Sequence, residues 1–327
     1  MIITRTPLRI SLGGGGTDLP SYYRPHGYGF LIAAAITKYV YIAVNDNFDN
    51  DLLLKYSEVE RVSDRNQVRH PLLRECLISQ DIAGGIEISS MADIPTGTGL
   101  GSSGAFTVGV LKALNHRRHG SMSNLEIAAE ASRIEIEKLS EPVGKQDQFI
   151  AAIGGVTAFT FKSDESVQVE SLSLSLSTRS QLEENLLLFF TGLRRSASEV
   201  LMEERNSSVS TKFDLETSLS RTRELGFKTK EALSGGNLEE FGRILTLQWQ
   251  SKFQRQQGPT NSKIDSWIRD GISAGALGGK LVGAGGGGFL LFYAEDKIKL
   301  RKQMTELGLP EVRFGFDYEG STLLVSR

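Results

Sequence analysis

Apolar and polar positions along the chain change rhythm near its middle. Up to about Phe161, short apolar runs are broken by glycines, and residues 2–6, 8–12, 30–36, 39–44 and 85–89 each predict a strand. The stretch 38–44, KYVYIAV, alternates with period two and is rich in β-branched and aromatic residues, the pattern of a strand. Two helices are expected next. One covers 102–117 and starts at serines, which cap well. The other opens at Ser123-Asn124-Leu125-Glu126, a capping-box pattern, and runs to about Leu139. Beyond Lys162 the polar stretch SDESVQVESLSLSLSTRSQ alternates in its VQVESLSLSLS part and predicts an edge strand or a connection between domains. A continuous apolar strand at 186–190 opens the second half. Helices are expected at 196–204, 213–233, 238–250, 261–274 and 296–307, and strands at 280–282, 288–293, 312–316 and 321–325. Strands and helices mixed without strict alternation predict an α+β fold rather than a doubly wound sheet. The expected units are 1–165 and 185–327.

Composition narrows the function classes. The chain has 327 residues, 39% hydrophobic and 23% charged, enough for two domains. With 37 basic against 39 acidic residues the net charge is −2, so neither a nucleic-acid footprint nor a basic membrane patch is expected. No apolar run reaches the ~20 residues that a membrane span needs. The opening MIITRTPLRISL carries arginines and lacks a signal-peptide core, which leads to the expectation of a cytoplasmic protein. A single cysteine, Cys76, cannot form an internal disulfide and is expected to be a buried structural thiol.

Glycine carries the chemistry. There are 35, many of them in three clusters: 13–16, the stretch IPTGTGLGSSG at 94–104, and 283–288. Without a Cβ, such runs let backbone N–H groups approach an anion and form concave nests. The middle cluster lies between an expected strand and the helix at 102, whose free N–H groups and partial positive charge would face a polyphosphate. It lacks the Gly-Lys-Ser/Thr ending of the Walker loop. Gly99, Gly101 and Gly104 satisfy G-x-G-x-x-G, and so do Gly283, Gly285 and Gly288. The proline-containing stretch 92–97 separates the strand from these glycines, however, where a dinucleotide site needs an immediate turn.

These motifs resemble those of the GHMP kinases, the superfamily of galactokinase, homoserine kinase, mevalonate kinase and phosphomevalonate kinase. Pro95-Thr-Gly-Thr-Gly-Leu-Gly-Ser-Ser-Gly-Ala105 is similar to the signature P-x-x-x-G-L-G-S-S-A, with Gly104 in place of the usual alanine. Thr6-Pro7-Leu8-Arg9-Ile10-Ser11-Leu12 followed by Gly16-Thr17-Asp18 resembles the N-terminal motif of galactokinases. Lys280-Leu-Val-Gly-Ala-Gly-Gly-Gly-Gly288 resembles the third, C-terminal glycine motif. PLRISLGGGGTDLPSYY, GKQDQFIAAIGG, HPLLREC and FFTGLRRSASEVL are further similar to the bacterial D-glycero-D-manno-heptose 7-phosphate kinases.

The resemblance implies a two-domain fold, with a ribosomal-S5-domain-2-like N-terminal half and a ferredoxin-like C-terminal half. It also implies ATP, Mg²⁺ and a small-molecule sugar or sugar-phosphate acceptor. Carried over residue by residue, Asp147 and Arg9 would be catalytic. Gly97, Thr98, Gly99, Leu100, Gly101, Ser102, Ser103 and Gly104 would hold ATP. Ser103 and Glu135 would hold the metal, with Glu137 as the alternative ligand. Two residues apart on a helix means about 200° apart, so only one of these carboxylates can face the site. Gly15, Gly16, Thr17, Asp18, Gly285, Gly286 and Arg194 would contact the acceptor, and Arg195, Lys145 and Arg24 join Arg194 as candidates for a phosphate already on the sugar.

Overall fold

The computed structural model describes residues 1–206, 212–256 and 259–326. Its larger sheet is built around two long antiparallel strands, β1 (Ile2–Gly13) and β2 (Tyr28–Asp46). Each joins two strands that the sequence pattern divides. Proline cannot donate to a ladder, and the register shifts at Pro7, where Thr37 and Lys38 form a bulge opposite it. Thr37 compensates by pairing with Gly315 through both its backbone N–H and its side-chain hydroxyl.

Around this pair lie β3 (Leu52–Lys55), β4 (Val59–Val62), β5 (Ile86–Ala92), β6 (Val156–Lys162), β7 (Val167–Ser171) and, at the far end of the chain, β11 (Thr322–Ser326). The order is β11-β1-β2-β5-β3-β4, with β6 paired to β2 and β7 to β6. Between them come α1 (Pro20–Tyr23), α2 (Pro71–Ser79), α3 (Ser102–Arg117), α4 (Asn124–Arg133) and α5 (Gln146–Ile153). α3 lies close on β1: a Cβ at Gly109 would come within 2.9 Å of the Thr6 hydroxyl, and Thr4 donates to the Gly109 carbonyl at 3.0 Å.

The expected capping box is present, with Ser123 and Glu126 bonding reciprocally. The helix it opens is regular only to Arg133, and then widens into a π-helical turn, Ile134–Lys138. The alternating stretch after Lys162 is a strand only as far as Ser171. The end of the alternation, which runs to Ser177, enters α6 (Leu176–Asn185) instead, because Ser175 caps the Thr178 N–H at 3.0 Å and Leu182 finds a buried position.

A smaller sheet, β8 (Leu186–Phe190), β9 (Gly278–Leu281) and β10 (Phe289–Tyr293), has the order β8-β10-β9. The helices of this half are α7 (Ala197–Asn206), α8 (Lys212–Ser234), α9 (Leu238–Arg255), α10 (Pro259–Ser273) and α11 (Lys297–Glu306). Phe189, Trp249, Trp267, Phe292 and Met304 pack into a separate core here, and each aromatic buries on the order of 150–250 Å². The expected strand at 312–316 is not a regular strand. Its neighbourhood makes only isolated bridges, Glu311 to Phe189 and Ile36 to Phe316. Two elements of the C-terminal half belong with the larger sheet. α8 packs on β1 and β2, and β11 extends that sheet beyond β1.

Candidate active site

The first glycine cluster turns the chain off the end of β1. Gly14 and Gly16 take left-handed φ values of +80° and +94°, and a Cβ at Gly14 would overlap the Phe30 carbonyl at 2.2 Å. Thr17 is wholly buried, and its hydroxyl bonds the Gly14 and Phe30 carbonyls and the Phe30 N–H. The structure thus gives Thr17 the task of stapling the loop. Asp18, also buried, accepts from the N–H groups of Gly16 and Gln146, each at 3.1 Å. Burial raises its pKa, with the nearby Asp147 charge adding to the effect and the backbone bonds opposing it.

Asp147 lies in the first turn of α5, where the helix dipole favours a carboxylate. Three donors converge on its Oδ1: Arg9 Nε at 2.8 Å, Arg9 Nη2 at 2.7 Å and Gln146 Nε2 at 3.1 Å. Oδ2 has no partner among the described residues, and the side chain is 26% exposed, enough for a ligand to reach it. Gln146 therefore ties the two acidic groups together, its backbone to Asp18 and its side chain to Asp147. The sequence reading had no signal for Gln146, because this role depends on contacts between distant segments.

Arg9 is only 5% exposed and is held at both ends, its N–H donating to Leu100 O at 3.0 Å and its Nη1 to Gly99 O at 2.5 Å. The middle loop thereby folds directly over the Arg9–Asp147 pair. Gly97, Gly99 and Gly101 all have left-handed φ, and a Cβ at Gly101 would lie 3.1 Å from Arg9 Cγ and 3.2 Å from Asp147 Cγ. The Leu100 and Thr98 side chains turn inward, Thr98 donating to Pro95 O. What the loop offers to a ligand is therefore backbone. The first intrahelical bond of α3 runs from Ala105 N–H to Gly101 O, which leaves the N–H groups of Ser102, Ser103 and Gly104 at the helix start for an anion.

Glu135 sits in the π turn, a distortion frequent at functional sites. Its Oε2 accepts from Ser103 Oγ at 3.0 Å and its Oε1 from Gln148 Nε2 at 2.8 Å. Burial, with smaller contributions from the Asp147 and Glu141 charges, pushes its pKa up to about 7 despite these bonds. Glu137 is exposed. Of the two expected metal ligands, the one beside Ser103 is thus Glu135.

The third glycine cluster packs on the middle one. A Cβ at Gly283 would come within 2.6 Å of Gly99 Cα, and one at Gly288 within 2.2 Å of Thr98 O. Gly285 lies against Gln256 and Val200, and Gly286 against the Arg195 side chain. Arg195 also donates its backbone N–H to Gly97 O at 3.0 Å, and its neighbour Arg194 is exposed, with its guanidinium 6.0 Å from the Phe190 ring centre. Arg24 and Lys145 both bind Glu165, each at 2.7 Å, and share its single negative charge.

Two family models match this architecture: the GHMP kinases N-terminal domain over residues 69–155 and the GHMP kinases C-terminal domain over 229–308. Together they take in about half of the chain, and between them they include the middle loop, Asp147 and the third loop. The chain belongs to the GHMP kinases.

Among curated relatives of this GHMP kinase, the D-glycero-alpha-D-manno-heptose 7-phosphate kinase of Campylobacter jejuni is 29% identical over 91% of both chains. The L-fucokinase/L-fucose-1-P guanylyltransferase of Bacteroides fragilis is 28% identical over 92% of this chain and 36% of that longer protein. Among solved structures, a D-glycero-D-manno-heptose 1-phosphate kinase from Bacteriodes thetaiotaomicron superposes with a TM-score of 0.81 over the whole of both chains. At 22% identity, that likeness is one of fold. The α+β, two-domain GHMP kinase architecture expected from the sequence is the one observed. The protein is accordingly a sugar kinase of this family, and no helix among its described residues is long and apolar enough to cross a membrane. Cys76 is buried as expected, and burial together with the Glu135, Glu130 and Glu75 charges raises its thiol pKa well above the usual value.

Proposed function

We propose that this kinase transfers the terminal phosphoryl group of ATP to the anomeric hydroxyl of D-glycero-D-manno-heptose 7-phosphate, giving the 1,7-bisphosphate. The observation that carries the reading is the asymmetry of Asp147. One of its oxygens is saturated by Arg9 and Gln146, and the other has no partner among the described residues on a side chain that is 26% exposed. The 29% identity over 91% of the heptose 7-phosphate kinase supports the choice of acceptor.

Phosphoryl transfer needs positioning and charge neutralisation more than covalent chemistry. The ATP phosphates lie on the middle loop and the N-terminus of α3. Asp147 Oδ2 orients the sugar hydroxyl and takes its proton, while the Arg9 guanidinium holds the other oxygen of that carboxylate and faces charge developing on the transferred group. Asp18, fixed by Gly16 and Gln146, accepts from sugar hydroxyls. Ser103 Oγ and Glu135 Oε2, 3.0 Å apart at the start of α3, form an all-oxygen pair of the kind that Mg²⁺ takes and would hold the ion there. The raised pKa of a carboxylate with no cation beside it fits the same role. When bound there, Mg²⁺ supplies positive charge against the phosphate oxygens.

A second reading, a 1-kinase for an unphosphorylated sugar of the fucose or galactose type, draws on one observation. Arg24 and Lys145, two of the four candidates for holding the 7-phosphate, are already engaged by Glu165, one carboxylate between two cations. Coupled ADP release measured over heptose 7-phosphate, heptose, galactose and fucose separates the two readings. Heptose 7-phosphate should give the highest kcat/KM, and a preference for a free sugar overturns the first reading.

A further inference from the structure

Lys280 belongs to β9, opposite Leu291, and leads into the third glycine cluster. It is 6% exposed, and its ammonium donates to one acceptor among the described residues, Gln248 Oε1 at 3.1 Å. An ammonium carries three donors, so two remain without an acceptor. Gln248 is itself fixed from the other side, its amide nitrogen donating at 3.0 Å to Leu12 O, the last carbonyl before the first glycine cluster. No carboxylate within ion-pair distance of Lys280 exists among the described residues. The charges that act on it are those of Lys252 and Arg9, both positive, and Lys252 donates to Gly283 O of the same loop. Burial and then these two neighbours pull the Lys280 pKa down to about 7.

A buried ammonium among like charges is costly unless something negative joins it. Two other buried basic groups have such partners: Arg9 has Asp147 and Lys145 has Glu165. Lys280 leads instead into the third glycine cluster and reaches, through Gln248, the carbonyl that precedes the first, with Arg9 near enough for its charge to act on it.

We infer that the Lys280 ammonium, positioned by Gln248, binds a phosphate oxygen of the reactants and completes with Arg9 a two-sided cationic clamp at the reacting centre. The inference rests on the kinase reading and extends it. The oxygen belongs either to the phosphoryl group in transfer or to a phosphate already on the acceptor.

The test compares wild type with Lys280→Met, and with Lys280→Gln if the methionine variant does not fold. Thermal unfolding is followed with and without millimolar inorganic phosphate, a readout that needs no knowledge of the sugar. The ligand-free variant should unfold at the wild-type temperature or above it, since an uncompensated buried charge has been removed. Phosphate should raise the melting temperature of wild type but not of the variant, because a ligand stabilises only the state it binds. With the acceptor found by ADP release, loss of one charged donor should reduce turnover by ~10²-fold. A fall in kcat with every acceptor assigns the contact to the transferred group. A rise in KM confined to phosphorylated acceptors assigns it to the acceptor's own phosphate. A phosphate effect identical in both proteins, or no phosphate effect in wild type, overturns the inference. So does a variant with lowered stability but unchanged kcat and KM, the behaviour of a purely structural lysine. Failure of the heptose reading alone leaves the phosphate arm unaffected.

Discussion

Two acidic clusters flank the first glycine loop and invite comparison. At Glu165, Arg24 and Lys145 bind the carboxylate at 2.7 Å each and the Tyr23 hydroxyl donates to it at 2.7 Å, so both of its oxygens are engaged. Burial alone would raise the Glu165 pKa, but these bonds outweigh it and hold the group at about 2. At Asp147, equally short contacts all fall on one oxygen and leave the other open. The lesson is that an ion pair serves structure when its acceptor is saturated and serves chemistry when one lone pair is left facing a ligand. Length and burial do not distinguish the two cases.

The sharpest way to break the comparison is Asp147→Asn. Asparagine keeps the size and still suits a helix start, but it neither takes a proton nor pairs with Arg9. Turnover should fall by at least ~100-fold, about 2.7 kcal/mol of barrier, with ATP affinity nearly unchanged, as read by steady-state kinetics and nucleotide titration. Near-normal turnover in the folded variant would reduce Asp147 to a cap. Next comes Glu135→Ala, for which the Mg²⁺ concentration giving half-maximal activity should rise by ~10–100-fold, the usual effect of disturbing a metal's surroundings. An unchanged Mg²⁺ dependence would remove Glu135 from the metal site.

A subtler variant tests position rather than charge. A Cβ at Gly104 would lie 2.7 Å from Asp147 Cβ and 3.0 Å from the Gln148 backbone nitrogen. The glycine that replaces the usual alanine of the signature therefore lets α5 approach α3 closely. Gly104→Ala should displace Asp147 and lower kcat by ~10-fold. The overpacking should cost ~1–3 kcal/mol of stability, partly offset by the ~1 kcal/mol that alanine gains over glycine in a helix. Wild-type kcat in this variant would mean that the contact yields without moving the carboxylate.

The smallest effect on turnover is expected at the saturated pair. Glu165→Gln should leave kcat within ~3-fold, a barrier change of about 0.6 kcal/mol, and show its effect in acid. A carboxylate whose folded pKa is depressed stabilises the protein above its unfolded value of 4.5, and that contribution disappears as pH falls toward about 2. Unfolding measured across that window should therefore show wild type losing its advantage over the variant. Parallel curves would contradict the saturated-pair description.

Much of this was legible because it is local. The capping box at Ser123, the serine-led helix after the middle loop and the apolar strand at 186–190 all follow from neighbours in sequence. The glycine clusters stood out in the sequence, but not the reason that several are glycine, which is loop-on-loop contact such as Gly99 on Gly283. Residues 171–177 misled because alternating serines and leucines mimic a strand, whereas the ladder ends at Ser171 and Ser175 caps a helix. α2 offered no apolar period strong enough to mark it, although His70 and Pro71 begin it. Thr17, Gln146 and Lys280 take their roles from partners far away in the chain: Phe30 for Thr17, Asp18 for Gln146 and Gln248 for Lys280.

The return of β11 to the edge of β1 bears on how the protein can be divided. Ile2 stands opposite Ser326, so the small sheet and its helices are a long excursion between β7 and β11, two strands of one sheet. A fragment ending near residue 165 would carry the whole middle glycine loop, yet β1 would present a bare row of N–H and C=O groups. Such an edge invites pairing with a second copy of itself. The halves that look separable as sequence are thus stitched together by their last strand, and the donor-side half requires the far end of the chain to stay soluble.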